Sequence, residues 1–329
     1  MNKGIWVVFV VLIVGAVALV VFRKEQSETT PVSSHLRLTI AVIPKGTTHS
    51  YWNSVKAGAT QAGKDLGVDM IYKGSMQEDD RAGQISVVEQ FVSDNVNGIV
   101  LAPVDNVALV PAVQAATAKK IPVIIIDSPV NGDAGKDFVC YVGTNNKLAG
   151  KLGGDELARI LGSKGKFILL RYAEGSASTM LREAGFLDAM KDNPGMMPLI
   201  TARYAGTSVS EAQATALNML DQIKQADGIF CPNESTTVGM LNVLEQNNLA
   251  GKIHFVGFDA TPHLVEALRK GEIDALVSQN PIKMGYQGVK ACVDYIKGVA
   301  QEPIQDSGVQ LITRDNLDTP EVQKLLSGG

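Results

Sequence analysis

The stretch IPVIIIDS, residues 121–128, is aliphatic almost without interruption until it ends on an aspartate and a serine. A strand with water on one face alternates apolar and polar residues. This one does not, so both of its faces must be covered, as in a parallel sheet wrapped by helices. The polar pair at its end is equally informative, because open parallel sheets bind their ligands at the carboxyl ends of the strands.

Working outward, eight further runs have strand character: LTIAVIP (38–44), GIVLAPV (98–104), FVCYVGT (138–144), KFILLRY (166–172), MPLITARY (197–204), GIFCPN (228–233), IHFVGFD (253–259) and ALVSQN (275–280). Between them lie segments of helical period. In 53–66, Val55, Ala59, Ala62 and Leu66 share a face, and in 82–92, Ile85, Val88 and Val92 do the same. Strands alternating with helices mean βαβ units and parallel sheets. Nine strands are many for one sheet, and the pattern restarts after the helical segment 147–161, where LGSKGK reads as a helix stop before a new strand. The expectation is an α/β protein of two doubly wound parallel-sheet lobes, the second starting near Asn145. No fixed-period repeat points to a solenoid.

The strand ends, taken alone, form a short set: 45–52 after the first strand, Asp105 and Asn106, Asp127 and Ser128, 174–179, Asn233 and Glu234, Asp259, and Gln279 with Asn280. They are rich in Asp, Asn and Gln, include the adjacent rings of Tyr51 and Trp52, and are poor in His and Cys. Such a set exchanges hydrogen bonds with hydroxyl groups while rings lie against an apolar face. That is the chemistry of a sugar site. Five of these residues also have a plainer reading. Tyr51 and Trp52 suit a hydrophobic staple at a helix start, and Asp127, Asp259 and Asn233 suit helix N-caps, Asp259 especially, three residues before Pro262.

Bulk composition narrows the setting. The chain has 329 residues, 45% hydrophobic, with 30 basic and 34 acidic side chains and a net charge of −4. It can bury a large core, and it lacks the basic excess of a nucleic-acid binder, so no nucleic-acid partner is expected. Residues 5–22 carry no charge and are flanked by Lys3, Arg23 and Lys24. Within 1–24 this run suits either a signal anchor, being just long enough to span a bilayer, or a cleavable signal peptide ending on Ala16-Val17-Ala18. Export follows from both, with the inner membrane as the site of any anchor. Residues 25–35 are polar, contain a proline and read as a flexible tether. Cys140, Cys231 and Cys292 are too widely spaced for a disulfide framework or a CxxC metal site, and no cysteine follows the apolar run to take a lipid.

Enzyme signatures are weak. There is no GxGxxG after the first strand, no GxxxxGK[ST], no GxSxG and no HExxH. His35, His49, His254 and His263 have no paired spacing, so neither a metal nor a cofactor is expected. Asp127 and Asp259 remain a conceivable glycosidase pair, since sequence does not give their separation.

Taken in order, VIPKGTTHSYWNSVKAGA, GIVLAPVD, IPVIIIDS, YVGTNNKLAGKLGG, FCPNESTTVGML, HFVGFDATP and ALVSQNP resemble the periplasmic sugar-binding proteins of the ribose and galactose type, relatives of the lac repressor's effector domain. The resemblance spans about 38–314. It implies two α/β lobes joined by three hinge strands, crossing near 144–146, 279–281 and 311–313. The lobes are then 36–144 with 281–310, and 145–280 with 311–329. It also implies that Tyr51 and Trp52 pack on the faces of a sugar, that His49 makes a polar contact, and that Asp127, Asn233, Asp259 and Gln279 bind hydroxyls. The chain departs from the ribose type at Ser128 and Met180, each standing where that type has a binding arginine. Arg182 fits a further family arginine, in a binding or a bracing role, and Lys45 supplies part of the lost donor capacity. The expected protein is an exported, monomeric, non-enzymatic binder of a monosaccharide or small polyol, delivering it to an ABC permease and ATPase in the periplasm. A membrane-tethered sensor and a secreted glycosidase are the alternatives.

Overall fold

A computed structural model describes residues 37–327. The expected signal or anchor segment, 1–24, and tether, 25–35, lie outside the described residues. The described chain forms two lobes, each built on a six-stranded sheet.

The first sheet takes β1 (Thr39–Ile43), β2 (Asp69–Tyr72), β3 (Gly98–Leu101), β4 (Val123–Ile126), β5 (Cys140–Gly143) and β11 (Ile304–Asp306), in the spatial order β11-β5-β4-β3-β1-β2, all parallel. The second takes β6 (Lys164–Arg171), β7 (Gly195–Tyr204), β8 (Gly228–Phe230), β9 (His254–Phe258), β10 (Ala275–Gln279) and β12 (Val309–Thr313), in the order β12-β10-β9-β8-β6-β7. The two orders are the same arrangement repeated. Only the edge strand β12 runs antiparallel to its neighbour.

Central strands β3 and β4 are buried at every residue, as the unbroken aliphatic run demands. The edge strand β2 alternates exposed and half-buried, and β11 is largely exposed. Neither has an apolar run, which is why both escaped the sequence reading, as did β12.

Helices cover both faces. In the first lobe, α1 (Ser50–Leu66) follows β1, α2 (Arg81–Ser93) follows β2 and α3 (Val110–Ala118) follows β3. In the second, α4 (Asn146–Ile160) precedes β6, α5 (Ala177–Lys191) follows it, α6 (Val209–Leu217) and α7 (Leu220–Ile223) follow β7, and α8 (Glu234–Gln246) and α9 (Pro262–Lys270) follow β8 and β9. Then α10 (Pro281–Ile296) returns to the first lobe and α11 (Pro320–Ser327) ends in the second. Trp52, Val55, Ala59 and Ala62 form the buried face of α1. Start signals are local: Asp80, Asn145 and Asn280 cap their helices by side-chain hydrogen bonds, and Ser208 forms a capping box with Glu211. A close approach seats the helix that lines the cleft. A Cβ on Gly150 of α4 would stand 1.8 Å from the carbonyl oxygen of Arg182 on α5, so only glycine lets the two helices meet there.

The chain passes between the sheets at 144–145, at Asn280 and at Ser307-Gly308. The third passage lies earlier than the expected 311–313, because β12 already pairs with β10 from Val309 onward. The second lobe accordingly takes in Val309 and Gln310, which the sequence reading assigned to the first. The three passages are tied together: Thr144 Oγ1 lies 3.1 Å from Gln279 Oε1, 3.4 Å from Ser307 Oγ and 3.3 Å from the Gly308 carbonyl oxygen.

Candidate ligand-binding cleft

The carboxyl ends of both sheets face a shared cleft, and nearly all the expected residues meet there. From the first lobe, Lys45, His49, Tyr51, Trp52 and Asp127 line a cavity of about 30 Å³, together with Glu78. From the second come Tyr172, Ser178, Thr179, Arg182, Asn233, Glu234, Asp259 and Gln279. Two expected residues stand apart. Ser128 is buried beside the cavity, its Oγ accepting from Ser178 N at 3.2 Å. Met180 is 38% exposed on α5 and does not line the cavity. The family resemblance set it where a binding arginine would stand, but the turn of α5 aims it outward, while Ser178, Thr179 and Arg182 face in.

Asp127 and Asp259 end β4 and β9, which hold the same place in their sheets. Both have left-handed backbones, with φ of 61° and 67°, a conformation uncommon outside glycine and most tolerable for Asp and Asn. Neither serves as a helix cap. No helix follows Asp127 before β5, and the cap of α9 is Thr261, whose Oγ1 accepts from Leu264 N at 3.3 Å. Freed from capping, Asp127 accepts from the Tyr51 hydroxyl (2.9 Å) and pairs with Lys45 Nζ (3.1 Å). Asp259 accepts from Gln279 Nε2 (2.9 Å) and from the Glu234 amide (3.0 Å). Asn233 does cap α8, its Oδ1 accepting from Thr236 N at 3.4 Å and from Thr236 Oγ1 at 2.7 Å, while also lining the cavity.

Arg182 is buried and held on all sides. Nε donates to Asn146 Oδ1 (2.8 Å), one terminal nitrogen to the Pro232 carbonyl (3.0 Å) and the other to Gln279 Oε1 (2.8 Å), and the guanidinium lies 4.0 Å over the Phe258 ring. A planar fork used this way braces the cavity wall. Lys45 reaches across the cleft, donating to Ser178 Oγ at 2.9 Å and Ser176 Oγ at 3.3 Å.

Tyr51 and Trp52 form an edge-to-face pair with centroids 5.0 Å apart. Trp52 belongs to the first lobe's core and is 2% exposed, yet its indole borders the cavity. Staple and cavity wall are therefore the same residue. Its Nε1 donates to Glu78 Oε1 at 2.7 Å, and Glu78 also receives His49 Nδ1 at 2.5 Å and the Tyr172 hydroxyl at 2.8 Å from the opposite lobe. Burial raises the Glu78 carboxyl, but the hydrogen bond and charge of His49, with Lys45 and the indole, outweigh it and hold it at about 2. Burial likewise lowers His49, and Glu78 with the charges of Glu234 and Asp259 outweighs it, so its net shift is upward. At Asp259 burial wins, opposed by Arg182 and Gln279 and assisted by Glu234 and Asp127, and pushes the carboxyl up to about 6.

Glu78 and Tyr172 were missed by the sequence reading. Tyr172 directly follows β6, so its place at a strand end was a usable signal. Glu78 lies beyond β2, a strand the sequence did not reveal.

The arrangement, polar groups and two rings at the facing ends of two parallel sheets, suits enclosure of a small polyhydroxy molecule. A sequence model described as the periplasmic binding protein domain matches residues 40–300. The D-allose-binding periplasmic protein of Escherichia coli strain K12 is 28% identical over 259 residues, covering 77% of this chain and 83% of that protein. Among solved structures, the periplasmic component of an ABC-type sugar transport system from Hahella chejuensis aligns with a TM-score of 0.80 at 34% identity, over 84% of this chain and 99% of that one. A carbohydrate transporter solute binding protein from Agrobacterium radiobacter, in complex with D-arabinose, aligns with a TM-score of 0.84 at 32% identity, over 89% and 99% of the two chains. With the family model matching well over half its length and both lobes shared with these structures, the chain belongs to the periplasmic binding protein domain family.

Proposed function

We propose that this protein captures a monosaccharide or similar small polyol between its lobes and delivers it to an ABC-type importer, working in the periplasm after export directed by residues 5–22. The observation that carries the reading is the convergence of Tyr51, Trp52, Asp127, Asp259 and Gln279, from four different strand ends of two sheets, on one buried cavity. The names of the relatives, binders of allose and arabinose, support the ligand class.

The mechanism follows from size and charge. The cavity of about 30 Å³ is far below the roughly 300 Å³ or more of an ordinary small-molecule site, so a sugar enters only when the lobes part about Thr144, Asn280 and Ser307-Gly308. Lys45 and Asp127, which pair with one another within the first lobe, then turn to the ligand's hydroxyls, and reclosure removes both from water. Contacts from both lobes favour the closed state over the open one, and the importer distinguishes the two. The role is binding, with no bond made or broken.

A thermal-shift series with pentoses, hexoses and polyols tests this. A ligand bound only by the folded state adds about 3 kcal/mol of stability at a hundredfold excess over Kd. Trp52→Ala is expected to weaken binding of whichever sugar shifts the melt by about tenfold or more. Unchanged binding with a lower melting temperature would reduce Trp52 to a core residue and remove the aromatic wall from the site.

A further inference from the structure

Helix α1 starts without the usual help. Its N-cap, His49, makes no side-chain capping bond, and no acidic residue stands in its first turn. The first amides of a helix have no intrahelical acceptor. Here they are met from the other lobe: Ser50 N donates to Glu234 Oε1 at 3.0 Å and Tyr51 N to Glu234 Oε2 at 2.8 Å.

Glu234 is the first residue of α8, is 7% exposed, and is itself anchored by its amide, which donates to Asp259 Oδ2 at 3.0 Å. A carboxylate suits a helix N-terminus through the helix dipole, and hydrogen bonds to an ionised group are about twice as strong as neutral ones. Helix α1 belongs to the core of the first lobe and α8 to that of the second, so this bidentate contact exists only while the lobes are shut. A second buried contact closes the same way, from the Tyr172 hydroxyl to Glu78. Glu78 is the group that holds the Trp52 indole. Both carboxylates thus act on the one helical turn that carries the aromatic pair.

We infer that Glu234 is an interlobe latch, a second-lobe carboxylate that completes the N-terminus of α1 on closure and holds Tyr51 and Trp52 in their closed positions. It is a positioning residue: it sets how firmly the cleft stays shut, whichever sugar is inside. The inference goes beyond sugar capture and rests on that reading only for the second measurement below.

The native cysteines Cys140, Cys231 and Cys292 are all buried, so dyes can be directed to added ones. Met76 on the first lobe and Leu217 on the second are 72% and 51% exposed. Full-length protein carrying Met76→Cys and Leu217→Cys, labelled with a donor and an acceptor, reports lobe separation by single-molecule energy transfer. In buffer without sugar, Glu234→Gln, which keeps the size and loses the charge, is expected to lower the closed-to-open ratio about tenfold, and Glu234→Ala further. With D-allose and D-arabinose as probes, dissociation is expected to quicken by a similar factor while association changes little. A sugar-free distribution that neither substitution moves overturns the latch. So does a loss of affinity carried wholly by a lower melting temperature. If neither sugar binds either protein, the sugar reading loses its support while the sugar-free distributions still decide the latch.

Discussion

Asp127 and Asp259 hold the same place in their two sheets, at the ends of β4 and β9, with the same left-handed backbone and nearly the same burial. Their surroundings differ. Asp127 faces a cation, Lys45 Nζ at 3.1 Å, and a phenol. Asp259 receives two uncharged donors, a carboxamide and a backbone amide, and burial pushes its carboxyl up to about 6. The repeated fold dictates where an acid stands and how its backbone turns. The loop residues of each lobe dictate what that acid is worth: one half of an ion pair in the first lobe, a costly buried charge bonded to neutral donors in the second.

The sharpest way to break this comparison is to remove each acid. Asp127→Ala leaves Lys45 buried and without its carboxylate, and is expected to cost about 3–5 kcal/mol in urea unfolding. Asp259→Asn keeps the shape and one acceptor oxygen but turns an NH2 group toward the other of its two donors, Gln279 Nε2 or the Glu234 amide, and, with the buried charge gone, is expected to cost about 1–2 kcal/mol. Equal losses would mean that Lys45 and Asp127 do not act as a pair.

A pH titration of stability sharpens the contrast by a smaller amount. Because Asp259 holds its proton to about pH 6 when folded but ionises near its ordinary value of 3.8 when unfolded, the folded state binds more protons between these values. Stability from this group therefore grows as pH falls through about 6 toward 4. Wild type is expected to gain on the order of 2 kcal/mol more than Asp259→Asn between pH 7 and pH 4.5. Glu78 titrates in both proteins, and His49 loses in Asp259→Asn only the smallest of the charges that raise it, so the difference is chiefly that of Asp259. Identical pH profiles would place Asp259 among ordinary carboxylates.

The smallest effect is expected at Met180. Set outward on α5, it should tolerate Met180→Ala with less than about a twofold change in Kd, against the large loss expected at Trp52. A larger change would return Met180 to the cleft.

Much of this was legible because parallel strands buried on both faces must be written as aliphatic runs. β1, β3, β4, β8, β9 and β10 are buried at nearly every position, and each stood out in the sequence. Edge strands carry no such requirement, and β2 and β11 passed unseen, taking Glu78 with them. The cap reading of Asp259 failed for a different reason. Local sequence offers Asp259 and Thr261 alike as caps before Pro262, and only the left-handed turn at Asp259, held by Gln279 and Glu234 from distant segments, decides for Thr261.

The sequence by itself determined the class of fold, the doubling into two lobes and the polar, aromatic character of the strand ends, because burial and helical period are properties of neighbouring residues. Tertiary structure decided which of those residues meet and what they are worth. It faced Met180 outward, gave Trp52 to core and cavity together, set Lys45 against Asp127, and brought Glu234 to a helix that begins 184 residues earlier. Such placements join segments far apart in the chain, Lys45 with Asp127 within one sheet and Glu234 with α1 between the two, and nothing in a local run of residues records them.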